Sequence, residues 1–315
     1  MQWNQTKLLF IICFLVLDIF LIQQLLTKEE YKYSEESSTE QEISSNIKGL
    51  EENVSEKSFK APLIYAMNKS YSEADIDKLE QLDNQQQLIV NDYLLIGRFK
   101  EPVPINVEEE SYQDKLDNLI LNNTEYTFWG KDSDKNILVF FQRIELPVFY
   151  NKNALLFIQV NDDGEMVQYV QTMMEKEESE SQEPEKLNSQ MNAISTLFLK
   201  ENLLKTGDTV TEVNLGYHNL ISLPNGEQVL NPTWNVQVNE TDDYFVNAIE
   251  GHNYPSNTDF IDTTYNEFIK EIDATDASTF LYLQTKDEKE EEALYKSIKK
   301  SLLNIVNTTI GVGNE

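Results

Sequence analysis

Leu8 to Leu26 reads LLFIICFLVLDIFLIQQLL, nineteen residues with a single ionisable group, Asp18, near the centre. As a helix rising 1.5 Å per residue, such a run covers roughly 30 Å, the thickness of bilayer hydrocarbon. A signal-peptide core would be shorter and would end in small residues. Here the run closes on Leu25, Leu26, Thr27 and Lys28, so an uncleaved anchor is expected. Cys13 follows Phe10, Ile11 and Ile12, without the small residue that lipid modification needs. A carboxylate at mid-bilayer costs about 2.5–3.5 kcal/mol on insertion scales, and such groups face a partner helix or a polar cavity. On a helix the face of Asp18 includes Ile11, Phe14, Leu15, Leu21, Ile22 and Leu25, its neighbours at three, four and seven residues. That face is the expected partner-helix contact. Lys7 on one flank and Lys28 and Lys32 on the other leave orientation open by charge.

Working outward, residues 1–7 form a short tail and residues 27–60 a Glu-, Ser- and Lys-rich stretch. Ile43, Ile47 and Leu50 follow helical spacing there, which predicts a stalk helix within an otherwise solvated linker. The folded part is expected from about Phe59. Ser72-Glu73-Ala74-Asp75 has the form of a helix start, with acids in the first turn.

Beyond Pro104 one pattern occurs twice. A helix is predicted over Tyr112–Leu121, followed by strands at Tyr126–Trp129, Ile137–Glu145, Leu155–Val160 and Met166–Thr172. A second helix is predicted over Pro184–Leu204, followed by strands at Thr209–Leu223, Val229–Val238 and Tyr244–Ile249. The expected class is therefore α+β: a transmembrane helix, a first helix-plus-antiparallel-sheet unit over 61–174, an acidic connection at Glu175–Glu185, and a second such unit over 184–255. Residues 256–315 are expected as a helical extension, with Leu294, Ile298, Leu302 and Ile305 on one stripe of a helix from Glu288.

Charge excludes one class of function. The chain has 55 acids against 25 bases, and since Lys7 and Asp18 cancel, the whole net charge of −30 lies after the anchor. The arginines are Arg98 and Arg143 alone, so no cationic face for nucleic acid can form. Cys13 is the single cysteine, which removes disulfides and cysteine-based metal sites from the folded part. Catalytic signals are equally sparse. His218 and His252 are the two histidines, and no phosphate loop, G-x-S-x-G elbow or H-E-x-x-H is present. Asp132-Ser133-Asp134 starts like a calcium loop, but Ile137 and Arg143 stand where glycine and glutamate are needed, so it reads as a turn. Asn161-Asp162-Asp163-Gly164 reads as a hairpin turn. No enzyme, cofactor or metal is expected.

Trp3 and Lys7, then Leu17-Asp18-Ile19-Phe20-Leu21 in the anchor, resemble the YycI family. So do Val213-Asn214-Leu215-Gly216-Tyr217, Pro232-Thr233-Trp234-Asn235-Val236 and Tyr244-Phe245-Val246-Asn247-Ala248. The block around Pro232-Thr233-Trp234 is also used by PepSY-like modules. The resemblance implies a regulator of the YycG (WalK) sensor histidine kinase, which controls cell-wall metabolism, working with a sister protein, YycH, through membrane-helix contacts. It also implies a cytoplasmic N-terminus, one membrane helix and an extracytoplasmic domain. The acidic stalk and the insertion at Glu175–Glu185 depart from the family pattern. The alternative is an exported binding module for wall polymer or a protease.

Overall fold

The computed structural model describes residues 7, 11–22, 39–109, 111–177, 183–223, 226–255 and 257–308. Residues 11–22 are helical. The rest is a mixed α+β body in which two antiparallel sheets meet along one line.

The first sheet runs β15 (Leu281–Leu283), β3 (Gln85–Val90), β4 (Leu94–Pro104), β9 (Glu165–Thr172), β8 (Leu155–Val160) and β6 (Ile137–Ile144), with β5 (Tyr126–Asp132) also on β6. Side chains alternate between its faces. Leu88, Ile96, Phe141, Phe157 and Val170 point to one side, beneath α6 (Phe260–Ala274) and α7 (Glu288–Thr308). Ile89, Leu95, Phe140, Leu156 and Tyr169 point to the other, beneath α3 (Glu73–Glu80) and α4 (Tyr112–Leu116). Leu294, Ile298, Leu302 and Ile305 are all buried, so the stripe read from sequence is the docking face of α7. The expected start at Ser72 is a full capping box: Ser72 Oγ accepts from the Asp75 amide at 3.2 Å, and Asp75 Oδ2 accepts from the Ser72 amide at 3.1 Å.

The second sheet is built on β12 (Val210–Ser222) and β13 (Gln228–Val238). β14 (Asp242–Asn247) and β2 (Ile64–Asn68) share the far edge of β13 end to end, and β10 (Met174–Lys176) pairs with β2. The unit drawn at 61–174 is therefore crossed: β2 and β10, which bracket it in sequence, lie in the second sheet. β7 (Leu146–Phe149) joins the two sheets. It forms a hairpin with β6 and runs parallel to β12 in the register Tyr217↔Val148 and His218↔Phe149. An added Cβ at Gly216 would stand 2.3 Å from the Phe149 ring and 2.6 Å from the Pro147 carbonyl oxygen. Glycine is required for β7 and β12 to approach this closely.

The helices differ from the expected spans for visible reasons. α4 stops at Leu116, and buried glutamines hold the turn that follows: Gln85 Nε2 donates to Leu119 O at 2.8 Å, and Gln171 Nε2 donates to Leu121 O at 2.7 Å. α5 (Gln190–Ser195) starts late because Ser189 Oγ accepts from the Asn192 amide as its cap, and the chain before it forms a two-residue strand, β11 (Glu185–Lys186), against β1 (Lys60–Ala61). One π-turn, Thr196–Lys200, prolongs α5.

The boundary at about Lys60 also moves. Residues 39–46 are helical (α1), and α2 spans Leu50–Asn53. Ile43, Ile47 and Leu50 are buried among Ala193, Ile194, Leu197, Trp234 and Val236. The segment is hydrogen-bonded in as well: Val210 N donates to Lys48 O at 2.9 Å, Asn53 Nδ2 to Val210 O at 3.0 Å, and Ser55 N to Gln190 Oε1 at 2.6 Å. Residues expected as stalk are thus the lid on the second core.

Two predictions follow from this packing. Burying each of Ile43, Ile47 and Leu50 contributes about 1.5–3 kcal/mol, and the three together rival a domain's whole stability of roughly 5–15 kcal/mol. A fragment of residues 39–315 therefore melts cooperatively, whereas 60–315 is largely unfolded by circular dichroism; equal melting temperatures would show that the lid is dispensable. Gly216→Ala forces Phe149 from its site and lowers stability by about 1–3 kcal/mol or more, measured by urea unfolding, while alanine at Gly130, where a Cβ meets open space, costs little.

Candidate functional site

Two features stand apart from the packed body. The first is the helix at 11–22. Its ten large apolar side chains are each 49–62% exposed, and Asp18 is exposed among them. Ile11, Phe14, Leu15, Asp18, Leu21 and Ile22 lie in this helix at the spacing that places them on one face. Leu25 lies outside the described residues, as do residues 8–10 and 23–26 of the apolar run. Among the described residues, no helix is long and apolar enough to cross a membrane.

The second feature is a cleft where the two sheets meet. Trp234, Val236 and Val246 point from the second sheet towards α1, α2 and α5. The alternating positions Asn214, Asn235, Gln237 and Asp243 point the other way and line a cleft of about 480 Å³. Its opposite wall comes from Trp129 on β5, Phe141 and Arg143 on β6, and Phe149 on β7. The ladder between β5 and β6 slips between Phe128 and Gly130, which makes Trp129 the bulged residue. A bulge re-aims a side chain. Here the Trp129 ring packs at 5.2 Å on Phe141 and 5.3 Å on Phe149 while part of it stays open to the cleft. Two further hollows, of about 340 and 390 Å³, share Asp243 with the cleft and continue it along Tyr150 and Asn257.

The polar groups of the cleft are oriented. Asn235 Nδ2 donates to Asp243 Oδ1 at 2.9 Å, and Thr211 Oγ1 lies 3.2 Å from Gln237 Oε1. That leaves the Asn235 carbonyl and one Asp243 oxygen as acceptors, and the Gln237 amide as a donor. Partial burial, with Glu212 and Asp242 nearby, pushes the Asp243 carboxyl above the usual range despite the hydrogen bond from Asn235. None of this was read from the sequence. The polar positions alternating with Val213, Trp234 and Val236 were its one signal, and they look like any solvent-facing row until a second sheet stands over them.

The histidines and acidic turns are accounted for locally. His218 stacks on Tyr254 with ring centres 4.1 Å apart, and its burial holds the imidazole below its usual pKa. His252 lies 3.2 Å from Glu250 at the surface. Asp132 Oδ1 accepts from the Lys135 amide in the turn before β6, and Asn161 Oδ1 accepts from the amides of Asp163 and Glu165 in the β8–β9 hairpin. Among the described residues, no three His, Cys, Asp or Glu side chains converge to hold a metal ion.

No curated protein matches the chain. A crystal structure of an uncharacterized protein from Eubacterium rectale is similar at a TM-score of 0.41, with 13% identity over 67% of this chain and 90% of that one. Residues 28–249 match the family described as YycI protein. The match spans both sheets except β15 and stops short of α6 and α7. The chain thus belongs to the YycI family, whose members regulate the WalK/YycG two-component system.

Proposed function

We propose that this chain is a single-pass membrane protein that regulates a WalK-type sensor kinase through its N-terminal helix and has no catalytic activity of its own. The observation that carries the reading is Asp18 in the middle of a helix whose large apolar side chains all remain uncovered. Water does not favour so continuous an apolar surface, and hydrocarbon does not favour an unpaired carboxylate. An environment of lipid with a polar partner accommodates both. Membership of the YycI family supports a partner in the YycG/WalK kinase system; in this reading the contacts are the kinase's membrane helices and those of a YycH-type sister regulator. In this reading the apolar run from Leu8 to Leu26 spans the bilayer, residues 1–7 are cytoplasmic, and the sheets lie outside the cell. The face of Ile11, Phe14, Leu15, Asp18, Leu21, Ile22 and Leu25 meets the partner helix. The folded body holds that helix in register with the sister protein.

Asp18→Leu removes the polar group and improves insertion. Intramembrane polar contacts contribute about 0.6–2 kcal/mol, so the variant reaches normal membrane levels while co-purification with kinase and sister regulator falls by roughly 3- to 30-fold. Unchanged association and unchanged kinase output would rule out the Asp18 face as the contact. A shorter chain isolates the helix from the body. Residues 1–32 alone, expressed in cells lacking the full protein, shift kinase output away from the deletion value. A fragment that inserts normally and leaves output at that value would move the essential contact to the domain outside.

A further inference from the structure

The membrane helix gives the inter-sheet cleft no task, yet the cleft is built with care. On one side the bulge at Trp129 brings a half-buried indole to the cleft, packed on Phe141 and Phe149 and flanked by Tyr150 and Phe245 at 6.1 Å. Beside it Gly130 leaves open space where a Cβ would stand. On the other side Asn235 and Gln237 are held in single orientations by Asp243 and Thr211, and Asn214 stands exposed at the rim. An aromatic surface thus faces planar amides and a carboxylate across a few hundred cubic ångströms.

The chemistry of the two walls selects among ligands. A purely apolar ligand would strip water from Asn235, Gln237 and Asp243 without replacing their hydrogen bonds, which is costly. A phosphate-bearing ligand would find one cation, Arg143, against the carboxylates of Glu212 and Asp243, in a chain of net charge −30. A peptide adding as an extra strand needs a regular open edge, and the β5 edge is broken by the bulge at Trp129. A sugar ring fits both walls: it offers a flat C–H face to an indole and hydroxyls on its rim to amides and carboxylate. The geometry points to this cleft as a binding site for a neutral oligosaccharide, its C–H face on Trp129 and its hydroxyls on Asn214, Asn235, Gln237 and Asp243. The two hollows that continue from Asp243 give room for more than one ring. The site stands independently of the Asp18 helix.

The test uses the full chain in detergent micelles, titrated by calorimetry with three probes: β-1,4-linked hexamers of glucose and of N-acetylglucosamine, and an α-1,4-linked glucose hexamer. At least one probe binds with a 1:1 end point and alters tryptophan fluorescence. Asn214→Ala combined with Gln237→Ala, two positions outside the hydrophobic cores, weakens that binding roughly tenfold or more without changing the melting temperature. Trp129→Phe keeps the packing ring and abolishes the fluorescence response. The inference is overturned if none of the probes binds, if binding is indifferent to the Asn214 and Gln237 changes, or if an alternating Val-Lys hexapeptide binds where the sugars do not.

Discussion

The parallel register of β7 on β12, Tyr217 against Val148 and His218 against Phe149, is the contact on which the rest of the body depends. The strands on either side pair antiparallel within their own sheets. This one pairing makes them a continuous surface. It is supported by a junction core of Ile64, Ile144, Val148, Tyr217 and Leu230. It is possible only because Gly216 carries no side chain where Phe149 crosses. It also sets the angle at which the first sheet stands over the polar face of the second, so the cleft is a consequence of the same register.

With no disulfide in the body, side-chain amides tie the layers together. Gln142 imitates a strand neighbour: its Nε2 donates to Met174 O and its Oε1 accepts from Met174 N, both at 2.8 Å. Asn151 Nδ2 donates to Gln228 Oε1 at 2.6 Å, binding the loop after β7 to β13. Asn188 bridges to the turn after β14 through the Ala248 and Ile249 carbonyls, and its own backbone carbonyl accepts from Trp234 Nε1. Such buried bonds are costly to break, because each leaves an unsatisfied group behind. The ion pairs are mostly exposed, as in Lys296–Glu292 and Lys286–Glu290 along α7, and such pairs contribute little. The many acids give solubility, and the amides and apolar faces give the fold.

Strands were legible because their signal is local. Leu155–Val160 falls on β8 residue for residue, and the long β12–β13 hairpin was placed to within one residue at most ends. Helix limits were less so: α4 ends at Leu116 although the apolar pattern runs on to Leu119 and Ile120. α6 lies within the stretch 256–315 expected to be helical, though the sequence reading set no bounds for it despite the helical spacing of Tyr265, Phe268 and Ile272. The strands β2, β7 and β10 owe their partners to non-local contacts, as does the burial of Ile43 and Ile47, and no window of sequence contains that information. The cleft was invisible for the same reason. The helical character of residues 11–22 was legible, being a matter of composition.

The molecule therefore has a two-sheet body and, in the proposed reading, a membrane helix whose single carboxylate directs it to a partner. That claim is tested most directly by a cysteine crosslinking scan through positions 11–22 in native membranes, in a chain with Cys13 replaced by serine, scoring adducts with the kinase and the sister regulator. Adducts should recur with helical period and peak at 11, 14, 15, 18, 21 and 22. Uniform crosslinking around the helix, or adducts confined to positions 12, 16 and 19, would contradict it.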